Sequence, residues 1–293
     1  MKPAPFTYFA PASLDEALAL KAQHGDEAKF LAGGQSLIPA MNFRLAQPAM
    51  LIDVNGLREL DFIRVNAERD ELHFGAVTRQ RQVERDPLVK QRAPLLYEAM
   101  PHVAHPQIRN RGTVGGSLAH ADPAAELPVV ALALHARFKA QSTRGPRWID
   151  APDFFQSLFT TALAPDEMLV EVALPPLPAH TGCAFVEFAR RRGDYAMMGV
   201  AVVVTLDNAG VCQSARLVYL NAGEGPVHAA QAAAALIGQT ATPRQMDEAA
   251  SIASTQAINP MGNVHASPEY QRHLARVLTR RALSMAVERA GRN

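Results

Sequence analysis

Cysteine is scarce in this sequence, and its scarcity limits the cofactors that the chain can hold by itself. Only Cys183 and Cys212 occur among 293 residues, far apart and each with apolar neighbours. An iron–sulfur cluster is normally bound by four cysteine thiolates, and a four-cysteine zinc site needs as many, so the chain alone can hold neither. The pattern predicts two free buried thiols rather than a disulfide.

Neither a strong charge of one sign nor a long apolar run is present. The formal net charge is +1, whereas proteins that bind nucleic acid or a membrane surface use a strong field of one sign. No apolar run approaches the roughly 20 residues that span a bilayer. The first residues, MKPAPFTYFAPAS, lack the apolar stretch of a secretion signal. We therefore expect a globular cytoplasmic protein with no membrane span and no nucleic-acid partner.

Two common nucleotide-binding signatures are also absent. The sequence contains neither G-x-x-x-x-G-K-[ST] nor G-x-G-x-x-G, and residues 223–228, GEGPVH, lack the last glycine of the second pattern. If the chain binds a nucleotide, a different motif must hold it.

Local signals predict a β-turn-α-β unit near the N-terminus. Ser13 can cap a helix with Glu16 reaching back, and Gly25 can end that helix. The segments that follow are the strand AKFLA, a glycine turn, a helix around LIPAMNFRL, and the strands AMLIDV, ELHFGAVT and DEMLVEVALP. The apolar segment LPVVALALHARFKA fits a helix, a strand, or a helix that passes into a strand.

A proline-rich segment, PPLPAHTG, divides the predicted elements into two groups. Beyond it, CAFVEFARRRGDYAMMGVAVVVTLD and SARLVYLNAG predict antiparallel strands. Thr242-Pro243 and Ser267-Pro268 predict the starts of two final helices, since proline favours the first helical position. The sequence thus predicts an α+β protein with domains at residues 1–176 and 177–293.

Two glycine-containing stretches stand out, KFLAGGQSLIP at residues 29–39 and RNRGTVGGSLAHADPAAELP at residues 109–128. Glycine allows positive φ and close backbone approach, so successive N–H groups can converge on an anion. In the first stretch the amides of residues 32–36 and the Ser36 hydroxyl are candidate donors. Lysine and arginine are absent from this loop, as is usual where dipoles hold a dinucleotide cofactor. A glycine pair after a strand is also a common plain turn, and both interpretations stay open here.

Three stretches together resemble one protein family: AGGQSLIP followed by Arg44, RNRGTVGGSLAHADPAAELP, and FARRRGDYAMMGVAV. They resemble the FAD-binding medium subunit of molybdenum hydroxylases, the carbon monoxide dehydrogenase and xanthine dehydrogenase family. The resemblance extends over essentially the whole chain, including SPEYQRHLARVLTRRAL. It implies a two-part FAD-binding N-terminal domain of the PCMH type, followed by a smaller C-terminal domain of antiparallel strands and helices.

The resemblance also implies which residues hold FAD. The first glycine stretch would wrap the pyrophosphate, and the second would form another wall. Glu126 would hydrogen-bond the hydroxyl-rich part of FAD, and Leu169 would pack near its adenine or its ring system. The implied cofactor-binding residues are Leu31, Ala32, Gly33, Gly34, Gln35, Ser36, Leu37, Thr113, Val114, Gly115, Gly116, Ser117, His120, Asp122, Glu126 and Leu169. No catalytic acid or base and no metal ligand is assigned in this chain.

Partner subunits are implied as well. In this family the flavoprotein joins a large molybdopterin-binding subunit and a small subunit with two [2Fe–2S] clusters, as a dimer of heterotrimers. Electrons would then pass from the clusters through FAD to an external acceptor, while hydroxylation occurs at molybdenum in the large subunit. Two alternatives stay open: a self-sufficient FAD oxidoreductase, and an assembly or regulatory protein that keeps the fold without the cofactor.

Overall fold

A small parallel sheet forms the N-terminal part of the computed structural model, which describes residues 1–292. Its elements are β1 (Thr7–Phe9), α1 (Leu14–His24), β2 (Ala28–Leu31), α2 (Leu37–Asn42) and β3 (Met50–Asp53). Strand β3 is central and pairs in parallel with β1 and β2. Ser13 Oγ accepts from Glu16 N at 3.2 Å, and Gly25 follows α1 with a φ of 48°. The predicted β-turn-α-β unit is confirmed, with β1 as an additional strand.

A five-stranded antiparallel sheet follows, in the order β4-β5-β10-β6-β7. The elements of this part are β4 (Ile63–Asn66), β5 (Glu71–Gly75), α3 (Gln80–Arg85), α4 (Pro87–Arg92), α5 (Pro94–Ala99), α6 (Pro106–Arg109), α7 (Val114–His120), α8 (Glu126–Ala133), β6 (Arg137–Ser142), β7 (Gly145–Asp150), α9 (Ala151–Phe154), β8 (Phe155–Ser157), β9 (Thr160–Thr161) and β10 (Met168–Leu174). Every residue of helix α8 is buried, and all of them except Glu126 at its start are apolar, as expected for a helix enclosed in the core. The segment LPVVALALHARFKA, for which the sequence left helix and strand open, is therefore a helix that passes into a strand, with His135 at a positive φ between them.

The C-terminal part contains a four-stranded antiparallel sheet, in the order β11-β12-β13-β14. Its elements are β11 (Thr181–Ala189), β12 (Ala196–Leu206), β13 (Cys212–Leu220), β14 (Val227–His228), α10 (Ala230–Ala234), α11 (Pro243–Ile252) and α12 (Pro268–Ala290). Helices α11 and α12 start at Pro243 and Pro268 as predicted. The preceding Thr242 and Ser267 cap them, each accepting from a backbone N–H three residues on. Cys183 and Cys212 are both free and buried, which confirms the sequence prediction.

The hydrophobic cores explain how these parts are held together. The four-stranded sheet is covered on one face by α12 and α10, and α11 packs against both of these helices. Side chains of its other face, such as Phe185 and Val218, share a core with the five-stranded sheet and α8. A third, smaller core joins the parallel sheet to Met168 and Val170 of β10. The largest apolar core therefore contains side chains from both sides of residue 176. The protein belongs to the α+β class, as predicted. Within residues 1–292 no helix is both long and apolar enough to cross a membrane.

Candidate cofactor site

A cavity of about 810 Å³ lies between the two glycine stretches. We call residues 32–36, between β2 and α2, the first glycine loop. Residues 111–117, of which 114–117 form the first turn of α7, are the second glycine loop. The predicted cofactor-binding residues that line this cavity are Ala32, Gly33, Gly34, Gln35, Ser36, Leu37, Thr113, Gly115, Gly116, Ser117, His120, Asp122, Glu126 and Leu169. Leu31 lines a neighbouring cavity of about 340 Å³ instead. Val114 is only 3% exposed, packs in the core and lines neither cavity.

The first glycine loop presents backbone donors that the protein does not use. The N–H groups of residues 33–36 donate to no acceptor within residues 1–292. Gly34 has a φ of 70°, which glycine adopts without the strain that an L side chain would meet. Its carbonyl accepts from Ile38 N at 3.1 Å, where α2 begins. Residues 33–35 are half-buried and Ser36 is exposed. Free N–H groups in a row just before a helix form a site that suits a ligand with acceptor oxygens.

Gly33 has a different reason to lack a side chain. A Cβ atom at this position would lie 2.5 Å from Arg111 O and 2.7 Å from the Cα of Gly112. The backbone of the first glycine loop therefore packs directly against that of the second. The close approach that the glycine pair predicts is real, and at Gly33 the neighbouring group is protein backbone.

The second glycine loop uses its donors internally. The N–H groups of residues 114–117 all have partners within the protein. Thr113 Oγ1 accepts from Gly116 N at 3.0 Å and caps α7, while Gly115 N donates to Ala76 O at 2.9 Å. A Cβ on Gly115 would lie 2.5 Å from the Cβ of Ala76. The glycines here permit tight packing, and the Thr113 hydroxyl has one proton left to donate.

Glu126 places a buried carboxyl group on the cavity wall, at the start of α8. Its side chain is 8% exposed, and burial together with the charge of Glu187 raises its pKa to about 8. Glu187 is paired with His102, Oε1 to Nδ1 at 3.1 Å, while its buried Oε2 has no hydrogen-bond partner in the described part of the chain. At neutral pH the Glu126 carboxyl is thus largely protonated and can donate a hydrogen bond.

His120 and Asp122 stand at the C-terminal end of α7. Burial lowers the pKa of His120, which favours the neutral imidazole, and its ring centroid lies 5.1 Å from that of Phe159. Asp122 Oδ1 accepts from Ala124 N at 2.9 Å and so shapes the turn before α8. Both residues face the cavity, as the resemblance implies, but their described contacts are with protein groups.

Among the cavity residues that sequence reasoning missed, three have side chains suited to a cofactor. Phe159 and Tyr195 line the cavity and are 56% and 71% exposed, so their rings are available to stack against a planar ring system. Gln80 Oε1 is buried there and has no partner among residues 1–292. Tyr195 belongs to the stretch FARRRGDYAMMGVAV and could have been singled out. Phe159 and Gln80 carry no local signal, because the hairpin of β8 with β9 and the start of α3 bring them to the cavity.

This set of groups fits FAD, the cofactor that the resemblance implies. The free N–H groups of residues 33–36 suit a diphosphate without a lysine or arginine in the loop. The Glu126 carboxyl can donate to hydroxyl groups, and Gln80 lines the same cavity. The exposed rings of Phe159 and Tyr195 suit an aromatic ring. Each part of a dinucleotide therefore finds a complementary group along one continuous cavity.

Comparison with known families agrees with this chemistry. Residues 4–177 match the family described as the FAD binding domain in molybdopterin dehydrogenase, and residues 183–286 match the carbon monoxide dehydrogenase flavoprotein C-terminal domain. The 6-hydroxypseudooxynicotine dehydrogenase complex subunit alpha of Paenarthrobacter nicotinovorans is 44% identical over 290 residues, which cover 99% of this chain and 97% of that protein.

Solved structures show the same fold. A chain of carbon monoxide dehydrogenase from Hydrogenophaga pseudoflava superposes with a TM-score of 0.94 at 37% identity, covering 99% of both chains. A chain of quinoline 2-oxidoreductase from Pseudomonas putida 86 gives a TM-score of 0.93 at 36% identity, covering 99% of this chain and 100% of that one. The protein therefore belongs to the FAD-binding medium subunits of the molybdenum hydroxylases, the carbon monoxide dehydrogenase and xanthine dehydrogenase family of oxidoreductases.

Proposed function

We propose that this chain is the electron-transfer subunit of a heteromeric molybdenum hydroxylase, in which electrons from [2Fe–2S] clusters in a partner subunit pass through FAD to an external acceptor. The row of unpaired N–H groups at residues 33–36 carries the proposal, because these donors have no use inside the protein. When bound, FAD supplies the exchange of single electrons for electron pairs. No side chain of this chain is needed as a catalytic acid or base.

The protein's own part is to bind and orient. The first glycine loop would hold the diphosphate through main-chain N–H groups, and the positive φ of Gly34 lets successive N–H groups converge. Gln80 and Glu126 would fix the hydroxyl-rich middle of the cofactor. Phe159 and Tyr195 would cover the ring from the rim and limit the access of water to it.

The division of work between subunits follows from what this chain lacks. Two buried free cysteines cannot ligate two clusters, so the clusters must belong to another polypeptide. Several relatives are named as medium chains or as subunits of a complex, which supports a large molybdopterin subunit and a small iron–sulfur subunit as partners. A dimer of heterotrimers in the cytoplasm is part of the proposal, and free thiols agree with a reducing compartment. So is the division at residue 176, which the two family matches support.

Purification of the isolated chain tests the proposal. We expect flavin absorption bands and close to one FAD per chain, with no reduction of the flavin by an organic substrate. Adding the large and small subunits should establish substrate-dependent reduction, since the molybdenum site and the clusters arrive with them. The chain without partners should still pass electrons from chemically reduced FAD to an artificial acceptor.

Two results would contradict this assignment. A folded, colourless protein that takes up no added FAD would indicate an assembly or regulatory role. Substrate turnover by this polypeptide, verified by mass spectrometry to be free of partner subunits, would indicate a self-sufficient oxidoreductase.

A further inference from the structure

One arginine side chain bridges the two glycine loops from behind the cavity. Arg79, just before α3, donates from Nη1 to Arg111 O in the second glycine loop at 2.6 Å. Its Nη2 donates to Asn55 Oδ1 at 2.7 Å. Arg79 does not line the large cavity, so it acts on that cavity only through the groups it holds.

Asn55 carries this link to the first glycine loop. Its Nδ2 donates to Ala32 O at 2.7 Å and to Leu31 O at 3.3 Å. Asp53 fixes the side chain in turn, since its Oδ1 accepts from Asn55 Nδ2 at 2.6 Å and from Asn55 N at 2.9 Å. The other carboxylate oxygen of Asp53 accepts from Tyr8 at 2.5 Å. The amide of Asn55 therefore has one defined orientation, with its oxygen toward Arg79.

The backbone of Arg79 is anchored as well. Its N–H donates to Gln82 Oε1 at 2.7 Å, and Arg79 forms an isolated antiparallel bridge with Thr113. Gln80 N donates to Gly112 O at 2.9 Å. The arginine thus extends from one fixed point of the second glycine loop to the rear of the first.

We propose that Arg79 and Asn55 form a clamp that sets the spacing of the two glycine loops and thereby keeps the free N–H groups of residues 33–36 arranged for a diphosphate. The inference rests on FAD binding as proposed above and assigns both residues as positioning residues. The planar guanidinium reaches two acceptors in a fixed fork, which a lysine ammonium cannot reproduce in the same geometry. Hydrogen bonds from a charged donor are also stronger than neutral ones.

The clamp should matter because the loops have few other links. At Gly33 they meet only by close backbone contact, with no room for a side chain, so a small separation would remove that packing. Free donors bind an anion best when they need not reorganise, so a loop released from the clamp should bind FAD more weakly. Variants that lack the clamp should therefore bind FAD more weakly while they remain folded.

Equilibrium titration of the FAD-free protein with FAD, followed by flavin fluorescence, tests this inference. We expect Arg79→Gln to weaken binding by about tenfold or more, since charged hydrogen bonds are lost. Arg79→Lys should recover only part of that loss. Arg92→Gln is the matched control, because Arg92, the last residue of α4, forms an ion pair with Asp70 and lines neither cavity.

Two further measurements separate positioning from general destabilisation. Added guanidinium ion should restore part of the FAD affinity of Arg79→Ala, an effect that loss of folded protein could not produce. Asn55→Ala removes the other partner of the Arg79–Asn55 hydrogen bond. The double variant Arg79→Gln with Asn55→Ala should therefore bind FAD scarcely more weakly than the worse single variant. Should Arg79→Gln not fold, Arg79→Lys and Asn55→Ala decide the matter.

The outcomes distinguish the clamp from the function on which it rests. A wild-type chain that binds no FAD would overturn both. Wild-type affinity for FAD in folded Arg79→Gln and Asn55→Ala would overturn the clamp alone. Strictly additive losses without guanidinium rescue would also count against it, because they would show two independent structural effects.

Discussion

In the first glycine loop the N–H groups of residues 33–36 donate to no described residue, whereas in the second those of residues 114–117 are all paired. The loops nevertheless contain similar sequences: AGGQS comes directly before α2, and VGGSL forms the first turn of α7. In the second loop a threonine caps the helix and an alanine carbonyl takes another N–H. The serine before α2 makes no such cap. The two loops thus enclose one cavity with different chemistry.

The comparison shows that glycine serves two purposes around a cofactor. At Gly34 it permits a positive φ, which lets neighbouring N–H groups converge. At Gly33 and Gly115 it permits close approach, to Arg111 O and to Ala76 Cβ respectively, both at 2.5 Å from an added Cβ. Only the first purpose creates a site for an anion. The second sets the distance between the walls.

The largest effect that would test this contrast is expected from Gly34→Val. A β-branched side chain at a φ of 70° carries roughly 1–3 kcal/mol of backbone strain, and the loop should relax to a conformation without converging donors. We expect FAD content to fall nearly to zero while circular dichroism of the chain stays native. Gly56→Val is the control, because a Cβ there meets no atom within 4 Å.

Near-stoichiometric FAD in folded Gly34→Val would remove the first glycine loop from the site. If Gly56→Val lost FAD to the same degree, the effect would reflect valine in a loop rather than this loop's geometry.

Gly115→Ala should have the opposite effect to Gly34→Val: it should lower the stability of the fold more than the affinity for FAD. Its methyl group would lie 2.5 Å from the Cβ of Ala76 and 2.8 Å from its Cα, so α7 must shift away from Ala76. Overpacking of this kind costs about 1–3 kcal/mol of unfolding free energy. Urea unfolding of the FAD-free protein should show that loss, with a smaller change in the FAD affinity of the folded fraction. Unchanged stability with lost FAD would mean that the second loop also donates directly.

How far the sequence could lead is visible in the same two loops. The glycine pairs, the helix cap at Ser13, the helix starts at Thr242-Pro243 and Ser267-Pro268, and the β-turn-α-β unit are local features, and the sequence predicts them correctly. The internal pairing of residues 114–117 was not foreseen, because it depends on Ala76 and Thr78 of a distant segment. Local patterns specify which backbone conformations are possible. Tertiary contacts decide which N–H groups remain free.

Phe159 at the cavity and Arg79 of the clamp were not predicted, for a related reason. Phe159 lies in a hairpin without any motif, and Arg79 begins a helix far from either glycine loop in sequence. A resemblance transfers only the residues that a motif contains. Residues outside the motif that hold it in position are identified only from their contacts in the folded protein.

The Glu126 carboxyl gives a pH-dependent test of the far wall of the cavity. Its pKa is raised from 4.5 to about 8 by burial and by Glu187, with smaller influences from Asp122 and, in the opposite direction, Arg109. The folded protein therefore keeps a proton that the unfolded chain releases above pH 4.5. The contribution of this proton to the unfolding free energy is complete below pH 4.5, where both states hold it. It is lost as pH rises to about 8, so the unfolding free energy should fall between these two pH values.

FAD affinity should follow the same group. Above pH 8 the ionised carboxylate can no longer donate, and we expect the affinity to fall by up to about tenfold per pH unit, the limit for one proton. Glu126→Gln keeps a donor and cannot ionise, so it should bind FAD with little pH dependence in this range. Identical pH profiles of wild type and Glu126→Gln, measured by fluorescence titration between pH 6 and about 9, would remove Glu126 from the site.

The smallest expected effect comes from Thr113→Val, which asks whether the second loop is scaffold only. Thr113 Oγ1 accepts from Gly116 N at 3.0 Å, and losing a helix N-cap costs about 1 kcal/mol of unfolding free energy. The resemblance implies that Thr113 contacts FAD, and its remaining hydroxyl proton is the group that it can donate. Thr113→Ser keeps the hydroxyl and is the matched control. If the cap is its main role, Thr113→Val loses stability and nearly keeps its FAD affinity. If it also donates to FAD, affinity falls as well, and only the serine variant escapes both losses.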